Sequence, residues 1–221
     1  METPYDEMAE SLRKKLARDP REIDVEDLGA GSKHVKGNRR KISDIASQSL
    51  STARYSSLYL RMARHLDARN IVELGTSLGI NTLYLARQTG SRVYTFEGSP
   101  AVAEIASLSF EFAGVNNIEM VVGNLENTLY TTLSRLPKID LAFMDANHRL
   151  GPTLRYFELL LARTHHRSVI IMDDIHDSTE MEKAWSEVKR HPLVYTTADL
   201  FRCGIIFFDP RLTKQHVVLR F

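Results

Sequence analysis

Four carboxylates stand where apolar runs of the chain stop. Glu97 follows Arg92-Val93-Tyr94-Thr95-Phe96, Asp145 follows Ile139 through Met144, and Asp173 with Asp174 follows Ser168 through Met172. Apolar runs of this length read as buried strands, so each acid is placed at a strand end. In an open, doubly wound sheet, ligands bind outside the carboxyl ends of the strands. A fifth acid lies inside Ile71-Val72-Glu73-Leu74-Gly75-Thr76-Ser77-Leu78-Gly79, a strand that runs into a glycine turn and then a helix from Ile80 to Gln88. Glycine at such a turn lets backbone approach a ligand where a Cβ would clash. The helix N-terminus behind it offers unpaired N–H groups. Glu97 falls roughly 20 residues after the turn, where nucleoside-binding α/β folds place the carboxylate that holds ribose hydroxyls. These residues predict a nucleoside-containing cofactor.

The strands ending at Asp145 and at Asp173-Asp174 are expected to be neighbours, so their acids can converge. Carboxylates packed together resist ionisation unless a cation joins them, which predicts a hard divalent cation held by Asp145, Asp173 and Asp174. The bland alternative is that these residues cap loops and turns, a common use of Asp. His148, three residues after Asp145, is a candidate general base, since imidazole titrates near neutral pH. His176, two after Asp174, is a second candidate ligand or base. His165-His166 lies in a polar turn and reads as solvated. Trp185 has helical spacing from Met181 and Val188 and reads as packing rather than a substrate platform.

Elements that could position these residues are legible along the chain. Residues 1 to about 20 read as a charged helix with a thin apolar stripe, Met8, Leu12 and Leu16, ended by Asp19-Pro20. Residues 21–41 are polar, with a basic cluster of Lys33, Lys36, Arg39, Arg40 and Lys41. Residues 42–66 form one or two helices carrying Tyr55 and Tyr59 on one face. From residue 70, strands at 71–74, 92–96, 118–122, 139–144 and 168–172 alternate with helices at 79–88, 100–113, 125–135, 151–162 and 179–190. Near-continuous apolar strands alternating with helices indicate a parallel sheet covered on both faces. Leu193 to Leu200 and Gly204 to Phe208 are joined by a short link and read as an antiparallel hairpin. The division expected is a helical cap over 1–66 and a cofactor-binding domain over 67–221.

The glycine spacing narrows the cofactor. A nicotinamide fingerprint wants a glycine where Ser77 stands, and a Walker loop wants Gly-Lys-Ser/Thr, which is absent here. An acid inside the first turn repels pyrophosphate. It suits a ligand with a cationic centre and an amino group, and S-adenosylmethionine has both. Glu73 through Gly79, Glu97, Asp145 and the terminal hairpin together resemble a class I S-adenosylmethionine-dependent methyltransferase over residues 68 to 209. The resemblance implies a Rossmann-like, seven-stranded, mostly parallel sheet with an antiparallel last strand. It implies cofactor contacts from Glu73, Gly75, Thr76, Ser77, Gly79 and Asp145, ribose hydroxyls on Glu97 and adenine near Asn124. The acids ending the fourth and fifth strands are similar to those of metal-dependent O-methyltransferases of the catechol type. There Mg²⁺ draws a substrate hydroxyl toward the methyl donor. Asp145, Asp173 and Asp174 match the ligand positions, with Asp174 in place of an Asn and His148 in place of a lysine base. A second glycine stretch, Asp27-Leu28-Gly29-Ala30-Gly31-Ser32, has acidic residues before it and no apolar helix after it, and reads as a loop.

Composition sets the outer bounds. The 221 residues are 43% hydrophobic and 26% charged, enough for one α/β domain with an extra segment. A net charge of +1 steers the whole molecule toward neither nucleic acid nor membrane. The single cysteine, Cys203, forms no intrachain disulfide and suits a reducing compartment, so a cytoplasmic setting is expected. The acidic start, with no apolar h-region, argues against a secretory signal. The expected activity is methyl transfer to a small-molecule hydroxyl, in a chain that the resemblance makes a homodimer. Alternatives are an RNA methyltransferase using the basic loop on phosphate, a nicotinamide or nucleotide-sugar enzyme, and a cofactor-binding protein without chemistry.

Overall fold

Alternating apolar strands and amphipathic helices build the chain, which the computed structural model describes over residues 6–26 and 38–221. The glycine stretch 27–32, Lys33 and Lys36 lie outside the described residues. In chain order the elements begin with α1 (Glu7–Leu16), β1 (Glu22–Asp24), β2 (Arg39–Lys41), α2 (Ile42–Gln48) and α3 (Ala53–His65). The alternating part follows: β3 (Asn70–Leu74), α4 (Ile80–Ala86), β4 (Arg92–Glu97), α5 (Pro100–Phe112), β5 (Ile118–Val122), α6 (Leu125–Arg135), β6 (Leu141–Met144), α7 (Leu150–Leu161), β7 (Val169–Asp173) and α8 (Thr179–Arg190). The chain closes with β8 (Thr196–Asp199), β9 (Cys203–Phe207) and β10 (Gln215–Val218).

One sheet of eight strands runs in the order β10-β8-β9-β7-β6-β3-β4-β5. It is parallel except at β9, which is antiparallel to both β7 and β8. The expected seven strands are therefore joined by an eighth: β10 adds to β8 in parallel at the edge. Its four residues, Gln215-His216-Val217-Val218, are too few and too polar to announce a strand by periodicity. Register does the positioning. Leu74 is opposite Met144, and Met144 is opposite Met172. The next residue on each strand, Gly75, Asp145 and Asp173, therefore falls on one line across the carboxyl edge. Every residue of β6 and β7 is buried, which holds that line between two helical layers.

The N-terminal segment shares this core. Leu12, Leu16, Ile42 and Ile45 pack in one apolar cluster with Leu83 and Ile105. Polar contacts lock α1 to α4: Tyr84 Oη donates to Glu10 Oε1 at 3.0 Å, and Arg87 Nε lies 2.5 Å from Asp6 Oδ2. The buried stripe of α1 is Ala9, Leu12 and Leu16; Met8, expected to be in it, is 39% exposed. Residues 39–41 also differ from the expected loop. They pair antiparallel with Glu22–Asp24, setting Glu22 against Lys41 and Asp24 against Arg39. Opposite charges across a two-stranded ribbon stabilise it in water, where an apolar pattern would not show. His165, expected to be solvated, instead places Nε2 at 2.9 Å from Asp140 Oδ1, whose other oxygen accepts from the N–H groups of Arg69 and Asn70. Trp185 is 1% exposed and packs in the core.

Candidate functional site

The glycine turn after β3 is held from both sides. Gly75 N–H and Thr76 N–H both donate to the Phe96 carbonyl, at 3.0 and 2.9 Å. Gly75 has φ +98°, and a Cβ there would collide with the Asp145 backbone carbonyl. Gly79, at φ +84°, would place a Cβ 2.6 Å from the Phe110 ring. Both glycines are therefore required by packing of the chain on itself: β3 against the end of β6, and the turn against α5. Gly75→Ala is expected to cost about 3 kcal/mol, from strained φ plus the clash. A lowered midpoint in urea unfolding would show it.

Glu73, expected to reach the cofactor, does not open toward the cleft. Its side chain is fully buried. Oε1 accepts from Asn81 Nδ2 at 2.9 Å, and Oε2 accepts from Thr82 Oγ1 at 2.5 Å and Thr95 Oγ1 at 2.6 Å. Thr76 turns the same way, its Oγ1 2.7 Å from that of Thr95. A hydroxyl relay thus runs from the turn into the buried acid. Burial pushes the Glu73 carboxyl up to about 7 against the pull of its three donors. These side chains shape the turn from beneath, and only its backbone and Ser77 face outward.

Glu97 does lie across from that turn. Its Oε2 accepts from Ser77 N–H at 2.9 Å and its Oε1 from Ser99 N–H at 2.9 Å. Burial raises its pKa, and backbone N–H groups of Ser99, Ser77 and Gly98 oppose the rise. Each oxygen keeps lone-pair capacity, which fits a carboxylate that receives a pair of hydroxyls. Ser77 itself has φ +49°, so its N–H is aimed at Glu97 by a left-handed residue. Asn124 caps α6, accepting from Glu126 N–H at 2.9 Å.

The acids at the ends of β6 and β7 separate into two groups. Asp145, His148 and Asp174 bring one donor atom each to within 4.8 Å of one another. His148 Nε2 is 3.3 Å from Asp145 Oδ1. The loop returns the imidazole to Asp145 through two successive left-handed residues, Asn147 at φ +69° and His148 at φ +50°. Burial alone would lower the His148 pKa. The hydrogen bond and charge of Asp145, with Asp174 and Asp173 behind it, outweigh burial and push it up to about 9. With no cation beside it, the neighbouring carboxylates favour the protonated ring over the neutral base expected from the sequence. Burial and then the Asp145 charge raise Asp174.

Asp173 is not in this group, against expectation. It is the last residue of β7 and is fully buried. Its Oδ2 lies 3.1 Å from Arg202 Nη2, and Tyr59 Oη is 3.5 Å from its Oδ1. Burial and the Asp145 charge push its pKa up, and Arg202 opposes them. Side chains alternate across a strand, and Asp173, as its last residue, keeps the inward position. Asp174, just past the strand at φ +52°, is the one that faces the cleft. His176 also stands apart: Nε2 is 2.9 Å from Asp199 Oδ2, which also accepts from Trp185 Nε1 at 3.1 Å. Sequence reasoning passed over Arg202, which sits in the short turn between β8 and β9 with no motif around it. The signal available was its charge: it is a cation beside an otherwise acidic strand edge.

Two observations test whether these residues fit a bound cation. The donors of Asp145, His148 and Asp174 are already gathered, and His148 presents Nε2 to Asp145 Oδ1 at 3.3 Å. Donors around a cation at about 2.1 Å sit about 3.0–3.5 Å apart, close to the His148–Asp145 spacing. The residues fit such an ion.

Comparison with known proteins agrees with the geometry. Residues 72–175 match the family described as a methyltransferase domain. A catechol O-methyltransferase of Mycobacterium tuberculosis is 37% identical over 117 residues, covering 52% of this chain and 51% of that protein. A protein-L-isoaspartate O-methyltransferase of Pyrococcus horikoshii is 28% identical over 116 residues, covering 52% and 51%. The chain spans about half the length of these curated relatives. The structure of the O-methyltransferase TomG from Streptomyces achromogenes, in complex with S-adenosylmethionine, superposes with a TM-score of 0.65 at 22% identity. That match covers 73% of this chain and 82% of that one, and it carries the fold alone.

Proposed function

We propose that this chain, whose residues 72–175 match a methyltransferase domain, is a class I S-adenosylmethionine-dependent methyltransferase that transfers the cofactor's methyl group to a hydroxyl of a small molecule. The observation that carries this reading is the placement, on one sheet edge, of two facing groups. Glu97 lies across from the glycine turn, and the Asp145–His148–Asp174 group stands two strands away. The first suits the nucleoside end of S-adenosylmethionine, the second an acceptor hydroxyl. In the reaction the acceptor oxygen attacks the methyl carbon, an O–C bond forms, and the S–C bond breaks with its electron pair going to sulfur. The hydroxyl proton leaves toward the carboxylates of Asp145 and Asp174. The chain mainly supplies orientation and a water-poor site. A divalent cation held by Asp145, Asp174 and His148 would supply a lowered pKa for the acceptor hydroxyl.

Calorimetry with S-adenosylmethionine tests the reading directly. Micromolar binding is expected, and Glu97→Gln is expected to weaken it about tenfold or more, because an amide cannot accept from both serine N–H groups and two hydroxyls. Absence of binding by the wild-type chain would overturn the reading. No helix of the described residues is long and apolar enough to cross a membrane. A reducing, cytoplasmic setting is part of the reading, from the single buried Cys203. So is a homodimer, which sedimentation would test.

A further inference from the structure

We infer that the cation site of this chain is a mixed oxygen–nitrogen site, Asp145, Asp174 and His148, from which Arg202 withholds Asp173. Such a site takes a borderline divalent cation of the Mn²⁺, Fe²⁺, Co²⁺ or Zn²⁺ kind in preference to Mg²⁺. The inference rests on the reading above that a cation serves this site.

Asp173 is withheld by contacts on both its oxygens. Arg202 Nε lies 3.4 Å from Oδ1 and 3.3 Å from Oδ2, and Nη2 lies 3.1 Å from Oδ2. Arg202 is in turn fixed by its own backbone. Its carbonyl accepts from Ile175 N–H at 3.2 Å, its N–H donates to the Leu200 carbonyl at 2.9 Å, and its guanidinium lies over the Tyr55 ring at 5.6 Å. Swinging Asp173 into the cluster would break the ion pair and leave a half-buried guanidinium without its carboxylate, a costly exchange. Strand geometry adds a second barrier, because Asp173 is still within β7 and opposite Cys203 in the ladder.

His148 replaces it as the third donor. Its Nε2 is the ring nitrogen that faces Asp145, 3.3 Å away, and in the neutral ring that nitrogen is placed to join Asp145 and Asp174 on one cation. Two successive left-handed residues hold it there. Donor chemistry then decides the ion. Mg²⁺ selects oxygen, demands octahedral geometry and gives up water reluctantly, whereas imidazole suits the later divalent metals.

The test uses the full chain freed of metal by chelation, with Mn²⁺ as the probe and paramagnetic resonance as the readout. Bound Mn²⁺ is expected to show ¹⁴N coupling and to be displaced by Mg²⁺ only at about tenfold excess or more. His148→Gln is expected to abolish the coupling. Asp174→Asn is expected to weaken Mn²⁺ by about tenfold or more, and Asp173→Asn by less than about threefold. Arg202→Lys keeps a cation beside Asp173 and is expected to behave as Asp173→Asn does, which guards against a fold too damaged to read. Bound Mn²⁺ without nitrogen coupling overturns the inference, as does equal weakening by the two Asp substitutions. S-adenosylmethionine binding on the same samples separates the failures. Cofactor binding without any Mn²⁺ binding sinks the cation site and leaves the methyltransferase reading standing; the reverse sinks that reading and leaves the site.

Discussion

Asp145→Asn is expected to lower kcat/KM for methyl transfer to a small-molecule hydroxyl by about a thousandfold, about 4 kcal/mol in transition-state stabilisation. The substitution keeps the shape of the side chain and everything its backbone does. Asp145 N–H still donates to the Leu74 carbonyl, 2.8 Å away, and its own carbonyl still lies against Gly75. What is lost is a negative charge at the centre of the cluster. That charge holds His148 at 3.3 Å and raises its pKa, and it is one of the two carboxylates open to the cleft. Stability should change little, since the side chain is only partly buried. The comparison is Asp173→Asn, whose loss of an ion pair to Arg202 should appear mainly in urea unfolding and by less than about tenfold in kcat/KM. If Asp145→Asn retained more than about a tenth of wild-type kcat/KM, the residue would be a loop cap and the chemistry would lie elsewhere.

How much of this could be read from residues alone depends on what each signal reports. Alternation of apolar runs and helices reports burial, so the parallel sheet, its antiparallel closure at β8 and β9, and the acids at strand ends were all legible. Direction was not. Asp173 and Asp174 have the same charge and adjoin in sequence, yet one turns inward to Arg202 and Tyr59 and the other outward to Asp145. The two-residue period of a strand would set them on opposite faces only if both lay inside it. It does not say where the strand stops, and that boundary decides which one faces the cleft. Glu73 misled for a related reason. A glycine turn reads as a place for ligand approach, but Gly75 and Gly79 make room for the Asp145 carbonyl and the Phe110 ring. The acid before them is held by Asn81, Thr82 and Thr95, and only the first two are near it in sequence. Arg202 carries no motif because its role is set by a partner 29 residues away. The β1–β2 ribbon is held by paired opposite charges, which a hydrophobic pattern does not register.

Glu73→Gln is expected to flatten the dependence of stability on pH. In the folded chain the Glu73 carboxyl is pushed up from 4.5 to about 7, chiefly by burial. Between those values the native state keeps a proton that the unfolded chain has released. Stability from this group is therefore full below pH 4.5 and is lost as pH rises through about 7. The total is about 3 kcal/mol, at about 1.4 kcal/mol per pKa unit. An amide cannot ionise, so the variant carries none of this loss. Its carbonyl can still accept from Asn81, and the Thr82 and Thr95 hydroxyls can rotate to accept from its NH₂. Urea unfolding of both chains at pH 5 and pH 8 measures the effect as a difference, in which titration of the histidines cancels. The wild type should lose about 2 kcal/mol more than the variant between those conditions, since part of the total is already lost at pH 5. Parallel profiles would mean that Asn81, Thr82 and Thr95 already stabilise the carboxylate as well as water does. Glu73 would then carry its charge beneath the turn at all pH values above the ordinary carboxylate range.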